Sequence, residues 1–166
     1  MSHQTHPPGF KLVRREQLLQ EAVHDAYKSR GKLPEPTVCP DCGAVYHAGH
    51  WQWLPKPKDA HRFSCPACHR IRDRFPAGYV LLGGEFFAAH EQEVLQQIRH
   101  HEAKEKASHP LQRIMDIEKT AHGTVVTTTD IHLARGIGDA LHHAYRGELE
   151  FHYNPEQNLL RVTWTH

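Results

Sequence analysis

Cys39-Pro40-Asp41-Cys42 and Cys65-Pro66-Ala67-Cys68 hold all four cysteines of this 166-residue chain, two Cys-x-x-Cys knuckles separated by a spacer of 22 residues. A Cys-x-x-Cys pair bends its backbone round one ion so that both sulfurs face inward, and two such pairs complete a tetrahedron of thiolates. The spacing predicts a structural zinc site with Cys39, Cys42, Cys65 and Cys68 as ligands, and iron in the same cage is the alternative metal. With four protein ligands no coordination position is left for a reactive water, so the ion is expected to hold shape rather than to catalyse. Disulfides suit secreted chains, but Met1-Ser2-His3-Gln4 opens no charged and apolar signal sequence, and a reducing cytoplasm is expected. A thioredoxin-like redox pair needs one motif in a βαβ setting, whereas two symmetric motifs are present here.

Between the knuckles, Ala44-Val45-Tyr46 and His50-Trp51-Gln52-Trp53 read as two short strands around an Ala48-Gly49 turn. This is how a zinc ribbon is built. Its long loop, residues 54–62, is stiffened by Pro55 and Pro57 and carries Lys56, Lys58 and Arg62; Arg70, Arg72 and Arg74 follow the second knuckle. Together with Trp51 and Trp53 these cations suggest one positive surface that contacts phosphates and stacks bases, with the alternative that the tryptophans cover a thin core. Lys11, Arg14 and Arg15 lie before and at the start of an amphipathic helix expected over residues 14–27, with Leu18, Leu19, Ala22, Val23 and Ala26 on one side. That helix suits an RNA, a partner groove or simple packing on the ribbon.

Charge is uneven along the chain. Residues 1–78 carry twelve Lys and Arg against seven Asp and Glu, and residues 79–166 carry eight against twelve, so the ribbon half is basic and the other half acidic. Seventeen histidines are scattered without ligand spacing, and solvent-facing roles are expected for them. No run is long and apolar enough to span a bilayer, and no membrane partner is expected.

Tyr79-Val80-Leu81-Leu82 reads as an apolar strand closed by Gly83-Gly84, where the ribbon module is expected to end. A long helix over residues 85–106 should follow, with Val94, Leu95 and Ile98 inward. Beyond Pro110 the periodicity switches to two. Residues 111–119 and 124–128 suggest a hairpin, Thr129 or Asp130 a helix N-cap, Leu133, Ile137, Ala140, Leu141 and Ala144 a buried stripe, and Gly147 its stop. Strands at 148–153 and 159–165 complete a β-β-α-β-β order. The expected fold is α+β: a flexible basic N-terminus with its helix (1–36), a small four-cysteine zinc-ribbon module (37–84), a connecting helix (85–110) and a β-β-α-β-β sheet domain (111–166).

Cys39-Pro-Asp-Cys42-Gly43, Cys65-Pro-Ala-Cys68 with Arg70 and Asp73 behind it, and the later Asp116-Ile117-Glu118-Lys119, Gly123, Thr129-Asp130 and Leu133-Ala134 resemble the large ribosomal subunit nuclear export adaptor family, the NMD-three family. The likeness spans residues 37–153 and is nearest to archaeal members and short bacterial stress-associated relatives. It implies a factor that docks on ribosomal RNA at the subunit interface, in resting or stressed cells; ribosomal proteins are expected as further contacts, and the chain is expected to be a monomer. Only one four-cysteine cage and one sheet domain are present, so export is not implied. A protein-protein adaptor is the other function class expected of a zinc ribbon. Catalysis is not expected: no Gly-x-Ser-x-Gly elbow occurs, and no nucleophile is identifiable beside a histidine.

Overall fold

The computed structural model describes residues 8–15, 17, 27 and 31–166. The helix expected over residues 14–27 lies, apart from a few positions, outside the described residues. Two sheets organise the rest, and the fold is α+β.

The smaller sheet belongs to the ribbon. It contains β2 (Thr37–Val38), β3 (Val45–His47), β4 (His50–Gln52) and β5 (His61–Arg62) in the order β4-β3-β2-β5. The β3–β4 hairpin turns at Ala48 and Gly49, both at positive φ, as a two-residue turn that follows strand twist requires. Val38, Ala44, Val45 and Trp51 are buried behind it. The segment after the second knuckle forms a helix that periodicity alone does not announce, α1 (Pro66–Asp73). Pro66 at its first position and Cys65 as its N-cap are the local causes.

The larger sheet has six strands: β1 (Lys11–Val13), β6 (Gly78–Gly83), β7 (Ile114–Thr120), β8 (Gly123–Thr128), β9 (Glu148–Asn154) and β10 (Leu159–Thr165), in the order β1-β9-β10-β6-β8-β7. The hairpins β7–β8 and β9–β10 stand where periodicity places them, but they do not pair with each other. β6 lies between them, antiparallel to β8 and parallel to β10. The strand expected to close the ribbon is therefore central to the other sheet. Its alternation explains this, since Val80 and Leu82 are buried in the main core. A second difference lies at the N-terminus, where Lys11–Val13, expected within a flexible stretch, pairs along β9 as an edge strand.

α2 (Glu85–Ala89) and α3 (Glu91–Ser108) replace the single long helix expected there. The break at His90 lets Phe86 and Phe87 turn toward Trp164, out of phase with Val94 and Ile98, and the His90 ring Nδ1 lies 2.9 Å from the Phe86 carbonyl oxygen. α4 (Ile131–Tyr145) is capped by Asp130, whose carboxylate accepts from the amides of His132 at 2.7 Å and Leu133 at 3.2 Å. Its buried residues are Ile131, Leu133, Ala134, Ile137, Gly138 and Leu141; Ala140 and Ala144 lie off the stripe. The helix approaches the sheet so closely that a Cβ at Gly138 would come within 2.7 Å of Val162 Cγ1 and 3.0 Å of Leu149 Cδ1. Against this face, Val80, Val126, Phe151, Leu160, Val162 and Trp164 form the main core.

Candidate metal centre and basic surface

The first knuckle is shaped by backbone bonds: Cys39 N–H donates to Ala44 O at 2.8 Å, and Gly43 N–H to Cys39 O at 2.9 Å. Gly43 has φ +81°, a conformation glycine adopts without a side-chain penalty. The second knuckle doubles as a helix start, with the Cys65 sulfur accepting from Cys68 N–H at 3.4 Å and the Cys65 amide donating to Cys39 Sγ at 3.2 Å. The strands and α1 thus bring Cys39, Cys42, Cys65 and Cys68 together with all four Sγ atoms within 4.8 Å of one another. No disulfide joins them.

Four thiolates about 2.3 Å from a tetrahedral centre stand about 3.8 Å apart. The Cys42 and Cys65 sulfurs are separated by 3.8 Å, so their spacing fits a single ion. Such an ion would supply cross-linking and charge neutralisation, and with four protein ligands it would have no open position for chemistry. Among the described residues this is the one group of His, Cys, Asp or Glu side chains spaced to hold a metal.

Arg113, which sequence reasoning missed, completes the site. It lies just before β7, is 7 % exposed, and donates Nη1–H to Cys68 Sγ at 3.1 Å and Nη2–H to Cys42 Sγ at 3.1 Å and Cys65 Sγ at 3.4 Å. Its Nε–H donates to Pro110 O at 2.8 Å, and its backbone exchanges bonds with Thr129, the residue before the α4 cap, at 2.9 Å each way. One arginine fixed to the sheet domain therefore reaches three sulfurs of the ribbon. No local spacing marks it, because its partners stand 45 to 71 positions earlier.

Titration of the cage follows from these contacts. The bond shared with Cys65, with help from the Ala44 backbone and Arg113, lowers the Cys42 thiol to about 4. The same bond and burial push the Cys65 thiol well up. Burial raises Cys68 to about 11 against the pull of Arg113. Burial also works against the Arg113 charge, but the bond to Cys68 and the neighbouring thiolates outweigh it and raise its pKa.

The expected basic surface divides. Lys56 and Lys58 on the ribbon loop and Arg62 in β5 at its end are exposed, and among the described residues none of them is in an ion pair. Arg74 is exposed at the α1 C-cap, with φ +53°. Arg72 is bound to Asp41 at 2.8 Å and to Ser64. Arg70 leaves the surface: it is 3 % exposed, donates to Phe75 O at 3.0 Å and lies 4.6 Å from the Tyr27 ring centre. Trp51 leaves it too, being 8 % exposed and edge-on to Tyr46 at 5.6 Å. Trp53 keeps 38 % exposure, yet its indole N–H is tied to Lys106 O at 2.7 Å and its ring lies near Arg113. Arginine and tryptophan are amphipathic, and in a small module their apolar bulk is drawn inward. Lys11, Arg14 and Arg15 belong to β1 and the residues after it, remote in sequence from the ribbon loop, and Arg15 pairs with Asp139 on α4 at 3.6 Å.

No helix among the described residues is long and apolar enough to cross a membrane. Set beside protein-family models, curated proteins and solved structures, the chain finds no match in any of the three.

Proposed function

We propose that this chain is a zinc-bearing, non-catalytic factor of the cytoplasm that binds ribosomal RNA at the subunit interface, holding ribosomes inactive in resting or stressed cells. The observation that carries it is the ribbon loop: Lys56, Lys58 and Arg62 project from a thiol-framed scaffold without an acidic partner among the described residues. Unpaired cations held by a rigid support suit phosphate contacts, and the resemblance of the knuckles and the 116–134 segment to the NMD-three family gives those phosphates a source. Zinc is the metal preferred by a closed four-thiolate cage.

Cosedimentation of the zinc-loaded protein with ribosomes and separated subunits tests this. Expected is pelleting with the large particle at low salt that falls steeply as salt rises. Absence of pelleting at every salt concentration overturns the proposal.

A protein adaptor is the second reading, favoured by one feature. Trp51, Tyr46, Phe63, Leu33, Pro66 and Leu111 line a largely apolar cleft of about 360 Å³ on the ribbon, and Phe63 is 44 % exposed. Recovery of one stoichiometric protein that survives nuclease treatment favours this reading over RNA.

A further inference from the structure

We propose that Arg113 makes occupancy of the four-cysteine cage the condition for docking the ribbon on the sheet domain. Among the described residues, two groups of contacts join these parts. One is Arg113, whose guanidinium meets Cys42, Cys65 and Cys68 at 3.1 to 3.4 Å. The other is peripheral: the Trp53–Lys106 bond at 2.7 Å, at a tryptophan 38 % exposed, and the half-buried Leu111 packed on the ribbon cluster.

The first group depends on convergence. Three sulfurs from both knuckles must face one point for a single planar fork to reach them, and a shared ion is what holds sulfurs of separate knuckles to one centre. An ion with four thiolates carries a net charge of about −2, which a buried guanidinium offsets in part. The guanidinium cannot follow a displaced sulfur, because Pro110 O holds its Nε and Thr129 holds its backbone. Release of the ion therefore removes three acceptors at once from a buried cation. Undocking exposes that cation to water and is the way it regains partners. The sheet domain, whose core contains no ribbon side chain, keeps its own structure. Metal loss thus frees the ribbon from the sheet domain while the larger part stays folded.

The test compares metal-loaded wild type, metal-free wild type, loaded R113Q and loaded R113K, with metal content measured for each. Amide exchange over residues 109–113, the radius of gyration by X-ray scattering and the rate of metal transfer to a chelator are the readouts. Loaded R113Q retaining one ion per chain is expected to exchange faster over 109–113, to be larger than wild type, and to lose its ion about 10- to 100-fold faster. R113K keeps the charge without the planar fork and should fall between the two. Equal exchange, size and release rate in R113Q and wild type overturn the proposal. If R113Q fails to hold metal, R113K decides: identity with wild type in all three measurements overturns it equally.

Discussion

The indole N–H of Trp53 donates to the backbone carbonyl of Lys106 at 2.7 Å, joining the end of the ribbon hairpin to the last turn of α3. A terminal helix carbonyl that lacks an intrahelical partner is thereby satisfied by a side chain from the other part of the molecule. Trp53→Phe keeps an aromatic ring, though a smaller one, and removes the donor. The expected cost is about 1 kcal/mol by chemical denaturation, with metal content unchanged.

Removal of a metal from the cage is expected to affect the two cores differently. Structural zinc supplies on the order of 10 kcal/mol or more to small domains, whereas the main core draws on Trp164, Phe151, Val162 and their neighbours without it. Chelated protein is expected to lose amide protection across residues 37–68 while β6, β8 and β10 stay protected in hydrogen-exchange mass spectrometry. Cys42→Ser should behave in the same way.

The loop cations can be weighed by salt. Replacing Lys56, Lys58 and Arg62 together with alanine should lower the slope of log affinity against log salt by about 2 to 3 for a ribosomal RNA fragment. Fluorescence anisotropy over a salt series measures it, and thermal stability should be unchanged, since all three side chains are exposed.

Gly138 is a packing position. Alanine there would meet Val162 Cγ1 at 2.7 Å, so Gly138→Ala should destabilise the protein by about 1 to 3 kcal/mol in denaturant titration despite a better helix propensity.

His101 should make the protein acid-sensitive. Its ring lies against Gly136 on α4, and burial lowers its pKa below the ordinary 6.5; Lys104 and His100 act in the same direction, against Glu105 and Asp139. The unfolded chain then binds a proton more readily than the folded one, so stability is full above pH 6.5 and falls as the pH drops below it. His101→Gln should lose less stability than wild type between about pH 7.5 and about pH 5.5, measured by denaturant midpoints.

Local features were readable in the residues. The Cys-x-x-Cys spacing led directly to the sulfur cluster, Ala48-Gly49 to the hairpin turn, and Thr129-Asp130 to the α4 cap, which Asp130 provides. Each depends on neighbours a few positions apart. Pairings between distant segments were not readable. The alternation in β6 marks a strand but does not say that β8 and β10 flank it, and Arg113 carries no motif because its partners lie on other elements. The basic surface shrank for a related reason, since Arg70 and Trp51 are identical in sequence whether they face water or a neighbour.

The parallel pairing of β6 with β10, in which Leu160 lies opposite Gly78 and Trp164 opposite Leu82, leaves the middle of the large sheet open until β10 has been synthesised. Until the C-terminal hairpin emerges, one rim of an apolar strand stays open to neighbouring nascent chains, so deletion of the final strand should yield aggregates rather than a smaller folded protein.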